Sequence, residues 1–214
     1  PLISVFIYSF KMKPSEFWQL ITAKQVANAL ATSFLCSVLA AVINSIFGVI
    51  LAWVLVRYEF PGKRLVDGLI ELPFALPTAV AGITLSNKTG IVVALVFVGI
   101  PFVVRAIQPV LEKLDGQYEE AAYILGAGRT KTFFRVILPE LTPALLTGFG
   151  LALARGIGEY GSVIYISGNS AKNHTQVISY VIMQKLNYID YESATAIALV
   201  MLVFSFLILL FVNI

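Results

Sequence analysis

Two pairs of charged residues in this chain stand where chemistry could be done. Arg155 and Glu159 are four apart in residues 141–166, a stretch otherwise free of charge. On a helix that spacing puts both on one face. A charge at membrane depth costs a few kcal/mol even on the lenient scale, so it is paired, functional or both. Two roles fit. The pair could fix a helix bundle, or Arg155 could lend positive potential to an anion route while Glu159 tunes it. Tyr160 and Ser162 follow directly, and Gly156, Gly158 and Gly161 lie around them. Such glycines loosen a helix, as in the broken helices of transporters.

The second pair is Glu119 and Glu120, which open the longest polar segment with helical character, residues 117–128. Residues 118–125 hold good helix formers and no internal Gly or Pro. The acids sit at the start, where a helix dipole favours negative charge. Gly126 and Gly128 stop the helix. Residues 111–116 read as a turn-like lead-in. Residues 129–135 predict a second short, basic turn that Pro139 ends. A short helix, a glycine joint and a second short helix between apolar segments make either a rigid docking knob at a membrane surface or an ordinary interfacial loop.

The elements that must position these residues are apolar. The chain of 214 residues is 58% apolar and 13% charged, with a mean hydropathy of +0.87. A soluble domain is about half apolar and about a quarter charged, so this composition predicts a polytopic membrane protein. The net charge of +3 is small and gives no reason to expect nucleic acid. The lone Cys36 lies in an apolar run and the lone His174 in a polar loop, so neither a disulfide framework nor a Cys/His metal cluster is available. The sequence holds no GxxxxGK phosphate loop, nucleophile elbow, zinc motif or carboxylate dyad. A transporter needing ATP would have to borrow it through the docking knob.

Residues 25–56 carry no charge, and at about 1.5 Å per residue they exceed the roughly 30 Å hydrocarbon core. One long helix is expected there, with Asn28, Ser33, Ser37, Asn44 and Ser45 turned toward other helices. Residues 57–64 form a tight basic turn, and residues 65–85 the next span, interrupted by Pro73 and Pro77 ahead of Thr78. Each proline frees a carbonyl, so that face either packs at a kink or lines a water path. Residues 86–90 form a short loop and residues 91–104 a barely sufficient span, with Arg105 and Pro109 beyond it. In residues 141–166, Gly148, Ala152 and Gly156 recur every four residues, as do Gly150, Ala154 and Gly158, a spacing that lets helices approach closely. Residues 167–190 read as a polar loop with an amphipathic piece at 177–186, and residues 193–212 as the closing span. Residues 1–10 are too short to cross a bilayer and are expected to be the tail of a longer first helix, with both ends clipped. Residues 14 and 15, Pro then Ser, suggest a short helix start. Five complete spans plus the clipped one make about six. With the knob inside, the inner loops hold Arg57, Lys63, Arg64, Arg105, Lys113, Arg129, Lys131 and Arg135, and the outer loops hold Lys11, Lys13, Lys24, Lys88, Lys172 and Lys185 but no arginine. That agrees with the positive-inside rule.

Glu120-Ala121-Ala122, then Gly126, then Val136-x-Leu138-Pro139 resembles the EAA loop of the permease subunits of ABC importers, where Ile is favoured at the place of Val136. The resemblance extends along the chain. Residues 51–64 (LAWVLVRYEFPGKR), 71–82 (ELPFALPTAVAG), 90–95, 99–110 (GIPFVVRAIQPV) and 154–162 (ARGIGEYGS) are similar to sulfate/thiosulfate permeases of the T-subunit type. One departure is the short segment at residues 86–90, where similar permeases carry a longer outward excursion.

The resemblance implies an all-α bundle of about six transmembrane helices with the ABC type I importer permease fold, one transmembrane permease domain over residues 1–214 with the docking loop at about 111–139. It implies that Glu119, Glu120, Ala121, Ala122, Gly126, Ala127, Leu138 and Pro139 couple to a cytoplasmic ATPase. Pro73, Pro77, Thr78, Arg155, Glu159, Tyr160 and Ser162 become candidates for an anion path or gate. The implied partners are a second, related permease, two ABC ATPase subunits, an external sulfate-binding protein and the lipid bilayer. ATP and Mg would be bound by the ATPases, with no cofactor in this chain, which would be no enzyme. The implied location is a bacterial inner membrane, with a plastid envelope of bacterial ancestry also compatible. Molybdate and tungstate permeases share the docking motif, and the segment at 72–78 (LPFALPT) favours sulfate over them.

Overall fold

The computed structural model describes residues 2–75, 87–114, 116–166, 170 and 175–213. Among the described residues all regular structure is helical. The helices α1 (Leu2–Ser9) and α2 (Pro14–Thr22) lead into α3 (Lys24–Arg57). Proline opens α2, where its missing N–H costs nothing. The 34 residues of α3 make it roughly 50 Å long, more than the ~30 Å a bilayer core requires. Next come α4 (Lys63–Ala75) and α5 (Lys88–Lys113), then α6 (Gln117–Ile124). After α6 come α7 (Arg129–Thr132), a π turn (Phe133–Ile137) and α8 (Leu138–Ile157). The chain closes with α9 (Gly161–Ile166), α10 (Ile178–Asn187) and α11 (Tyr191–Asn213). Four described stretches are long and apolar enough to cross a membrane: Lys24–Arg57, Lys88–Lys113, Arg129–Ile157 and Tyr191–Phe211. The expected span at 65–85 begins in α4 and otherwise lies outside the described residues.

Three boundaries differ from the sequence reading. The span expected at 91–104 is a 26-residue helix, α5. It starts early because the Asn87 side chain caps it, accepting from the Gly90 N–H at 2.9 Å. It continues past Arg105 because α4 supplies the counter-charge. Arg105 Nη1 lies 2.9 Å from Asp67 Oδ1, and Nη2 lies 2.7 Å from Glu71 Oε1. Pro101 and Pro109 sit inside this helix, and the first half of the expected lead-in, residues 111–113, is its last turn.

The second difference concerns Pro139. It opens α8 rather than ending a helix. In an α-helix its ring would clash with the carbonyl of Arg135. The π turn relieves this by widening the backbone, and the Leu138 N–H reaches back to the Phe133 carbonyl. α7, the π turn and α8 thus form one continuous 29-residue rod, Arg129–Ile157. The third difference is a break in the span expected at 141–166. α8 stops at Ile157 with Gly158 as its cap, and Glu159 and Tyr160 are not helical.

The core lies where α3, α5 and α8 meet. Val49, Ala52 and Leu55 of α3 face Val103, Val104, Ile107 and Leu111 of α5 and Leu141, Leu153 and Ile157 of α8. Lipid is as apolar as these side chains, so close packing rather than water exclusion holds them together. The closeness comes from glycine. A Cβ on Gly148 would lie 2.9 Å from Val103 Cα, and one on Gly156 would lie 3.1 Å from Ser37 Oγ. Gly99 leaves its space to the Asn44 side chain, and Gly48 leaves its space to Val103. The row Gly148, Ala152, Gly156 is therefore a packing seam. In the second row Gly150 is buried but Ala154 and Gly158 are exposed, and a Cβ on Gly158 would meet only its own turn, at 3.6 Å.

Of the polar residues expected to face inward, Ser33, Ser37 and Asn44 are buried, and Asn28 and Ser45 are half-buried. The expected surface piece at 177–186 is α10, which buries Ile178 and Val181 against α3 and α11 rather than lying free. Asp190 starts α11, accepting from the Ser193 N–H at 3.1 Å and pairing with Lys185 at 3.1 Å. Burial pushes its carboxyl up, but those bonds outweigh burial and hold it below the usual range. Its contribution to stability is full above the unfolded value and fades as pH falls through the lower folded one.

Gly148→Ala is expected to destabilise the bundle by ~1–3 kcal/mol, because backbone of α5 must yield. Gly158→Ala is expected to be close to neutral. Thermal melting in detergent checks both, and equal melting points for the two variants would remove the seam.

Candidate functional site

The first part of the site is built at the Arg57 end of the bundle. α6 ends in a left-handed closure at Gly126, whose φ is +78°. The Gly126 N–H donates to the Tyr123 carbonyl and the Ala127 N–H to the Ala122 carbonyl, each at 2.9 Å. This is the Schellman pattern, which glycine adopts without strain. It reverses the chain so that Gly128 can cap α7, with its carbonyl accepting from the Thr132 N–H at 3.0 Å. Ala122 is the one buried residue among those described in α6, so a larger side chain there has little room.

The two acids of α6 part company. Glu119 is turned into the protein, with Oε1 2.9 Å from Arg57 Nη2 at the end of α3. Arg57 also donates to the Leu114 carbonyl at 3.3 Å and sits over the Trp53 ring at 5.6 Å. Trp53 in turn meets Phe133 of the π turn edge-on, with centroids 5.6 Å apart. Glu120 and Ala121 are exposed, and Ala127 is half-buried. Beyond them Ile124 and Leu125 stand 85% and 87% exposed. An acid beside two exposed aliphatic side chains is an apolar patch rimmed by charge, the pattern that suits a protein partner. Leu138 is half-buried and Pro139 exposed, both at the start of α8 rather than on the knob.

The second cluster lies at the opposite end. Arg155 Nη1 is 2.6 Å from Glu159 Oε2, with side chains 42% and 3% exposed. The Glu159 carbonyl accepts from Ser179 Oγ of α10 at 2.8 Å, which fixes the non-helical break. Gly156 touches Ser37 of α3, and the stretch of α3 from Ser37 to Arg57 is roughly 30 Å long. The charge pair therefore stands about one hydrocarbon thickness from the docking segment. Gln25, at the other end of α3 from Arg57, bonds Gln176 at 3.0 Å and Gln184 at 3.3 Å, so α10 belongs to this same end. Tyr160 is half-buried beside the pair. Ser162 falls in α9 and Pro73 in α4, while Pro77 and Thr78 lie outside the described residues. Sequence reasoning missed Trp53 and Arg57 as parts of the site. The only signal was that Arg57 is the first charge after the long apolar run.

A multi-helix apolar bundle with a polar knob at one end defines a multi-pass α-helical membrane protein. The comparisons place it more narrowly. Residues 44–214 match the family model described as "Binding-protein-dependent transport system inner membrane component". The chain is 43% identical over 235 residues to the sulfate transport system permease protein CysT of Escherichia coli K12, covering 100% of this chain and 84% of that protein. It is 45% identical over 233 residues to a probable sulfate transport system permease protein of Marchantia polymorpha, covering 97% and 80%. The crystal structure of a bacterial alginate ABC transporter, in complex with an alginate-pentasaccharide-bound periplasmic protein, aligns with a TM-score of 0.82 at 17% identity, covering 100% of this chain and 86% of that one. The chain thus has the ABC importer permease fold. It belongs to the family of binding-protein-dependent transport inner-membrane components, which makes it a transport subunit and not an enzyme.

Gly126→Val forces a β-branched residue to positive φ and is expected to loosen α6, at a cost of ~1–2 kcal/mol. Gly126→Asn is expected to be milder. Hydrogen exchange over residues 117–128 reads this directly; unchanged exchange in the valine variant would mean the closure does not hold α6.

Proposed function

We propose that this chain is the transmembrane subunit of an ATP-driven sulfate/thiosulfate importer. The observation that carries this is the 43% identity, over the whole chain, to a protein named as a sulfate permease. Relatives named for sulfate transport in Escherichia coli, Marchantia and Synechococcus leave the molybdate or tungstate alternative unfavoured.

On this reading the exposed face of α6, with Glu120, Ile124 and Leu125, inserts into a cleft on a cytoplasmic ATPase. Two such ATPases bind ATP and Mg, and this chain binds neither. A second permease, related to this one, completes the path, and an external sulfate-binding protein delivers the anion. ATP closes the ATPases, the docking segments move, and the bundle opens outward; hydrolysis resets it inward. At the outer end Arg155 presents part of its guanidinium to solvent while Glu159 lowers its net charge. That suits a transient anion contact, because an anion held tightly midway would not leave. The location is a bacterial inner membrane or a plastid envelope derived from one.

The experiment is uptake of labelled sulfate into proteoliposomes holding this chain with its co-purifying subunits and binding protein. The expected result is ATP-dependent uptake that thiosulfate inhibits and molybdate does not. Uptake of molybdate in place of sulfate would transfer the chain to the sister class. In the same vesicles Glu120→Lys is expected to uncouple hydrolysis from uptake, and normal uptake would remove the docking role of α6. Arg155→Ala is expected to cut uptake by about tenfold, the size of a charge contact worth ~1.4 kcal/mol; unchanged uptake would leave Arg155 a packing partner.

A further inference from the structure

The attachment of α6 to the bundle is slight. Among the described residues its main helical neighbours are α7 and the π turn that follow it, and Ala122 is its only buried residue. A recess of ≈ 660 Å³ opens beside it, lined by Trp53, Arg57, Glu119, Tyr123 and Phe134 among others. Apolar packing therefore does not fix where α6 stands relative to the membrane helices. Arg57, at the end of the membrane-crossing α3, does reach it. Arg57 holds Glu119 of α6 at 2.9 Å and the Leu114 carbonyl at the end of α5 at 3.3 Å. Both charged side chains are 24% exposed, so solvent screens the pair only in part. Trp53, one turn earlier on α3, supports the guanidinium and also contacts Phe133 at the start of the α8 rod.

The last turn of α3 thus grips the docking segment on both sides of its glycine joint. We propose that Arg57 is the positioning residue that ties the docking helix to the bundle, so that a displacement of α6 is passed to α3. Because α3 is one unbroken helix whose other end bonds Gln176 and the α10 N-terminus through Ser33, the same displacement reaches the outer end. The planar guanidinium suits this role, since it serves a carboxylate, a carbonyl and an aromatic face together; a lysine ammonium cannot stack in that way. The proposal rests on the docking role given to α6 above.

The test uses the complete reconstituted complex and reads two quantities: retention of the ATPase subunits, and sulfate moved per ATP hydrolysed. Arg57→Gln and Glu119→Gln are expected to retain the ATPases and lower the transport-per-ATP ratio roughly tenfold, a typical coupling factor. The double variant is expected to be no worse than either single one, and Arg57→Lys to fall between. The charge-swapped pair Arg57→Glu with Glu119→Arg is expected to recover part of the ratio. Unchanged ratios in both single variants, or additive losses in the double, would overturn the proposal. Loss of the ATPases from both single variants would overturn it too, by making the pair a requirement of assembly. Glu120→Lys runs alongside: full retention and full coupling in that variant would condemn the docking role itself, a different failure from the one read at Arg57.

Discussion

Water is absent from the hydrocarbon core, so the helices of this chain cannot be driven together by burying apolar surface. They must fit. The fit is made by glycines set where two axes come closest: Gly48 and Gly148 on either side of Val103, Gly99 against Asn44, and Gly156 against Ser37. Each missing side chain lets a neighbour's atoms into the gap. The two candidate clusters are placed at the ends of the three helices so joined: α3 ends at Arg57, α5 leads on to α6 at that same end, and α8 carries Arg155 at the opposite end. The seam therefore sets the relative position of two sites that share no residue.

The same constraint explains how the backbone departs from regularity. Pro101 and Pro109 sit inside α5, and Pro139 sits at the π turn. A freed carbonyl facing lipid would cost several kcal/mol, so such breaks belong where protein covers them or where the chain leaves the membrane. The π turn falls at one end of the bundle, beside Trp53. The break at Gly158 falls toward the other, where Ser179 bonds the Glu159 carbonyl. Pro101, inside α5, is buried, so protein covers the carbonyl it frees.

Much of this was legible in the sequence because the signals were local. A charge-free run over residues 25–56 fixes α3, and a glycine after good helix formers fixes the end of α6. The four-residue repeat of small residues foretold the seam on α8, but not which of its two rows would be used. That choice depends on what stands opposite, and Val103 and Ser37 are far away in sequence. The extent of α5 was misread for a similar reason. Arg105 looked like the end of a span until Asp67 and Glu71, one turn apart on α4, supplied its partners. Pro139 was misread as a stop because its local meaning is ambiguous: it ends a helix from behind and begins one from in front.

Glu119 and Glu120 show how far adjacent residues can differ in duty. Successive positions on a helix point about 100° apart, so two neighbouring acids cannot serve one partner. The first faces Arg57 and the bundle, and the second faces outward beside Ile124 and Leu125. A motor that captures a docking helix needs an outward surface; a bundle that responds to capture needs an inward tether. On the proposed docking reading, one acid of α6 serves each task, Glu120 on the outward face and Glu119 toward the bundle. A tether made of packed aliphatic side chains would hold α6 as firmly but with little preference for direction. Arg57 instead meets the Glu119 carboxylate at 2.9 Å while the Leu114 carbonyl and the Trp53 ring fix where the guanidinium stands, so the contact depends on charge and placement rather than on bulk.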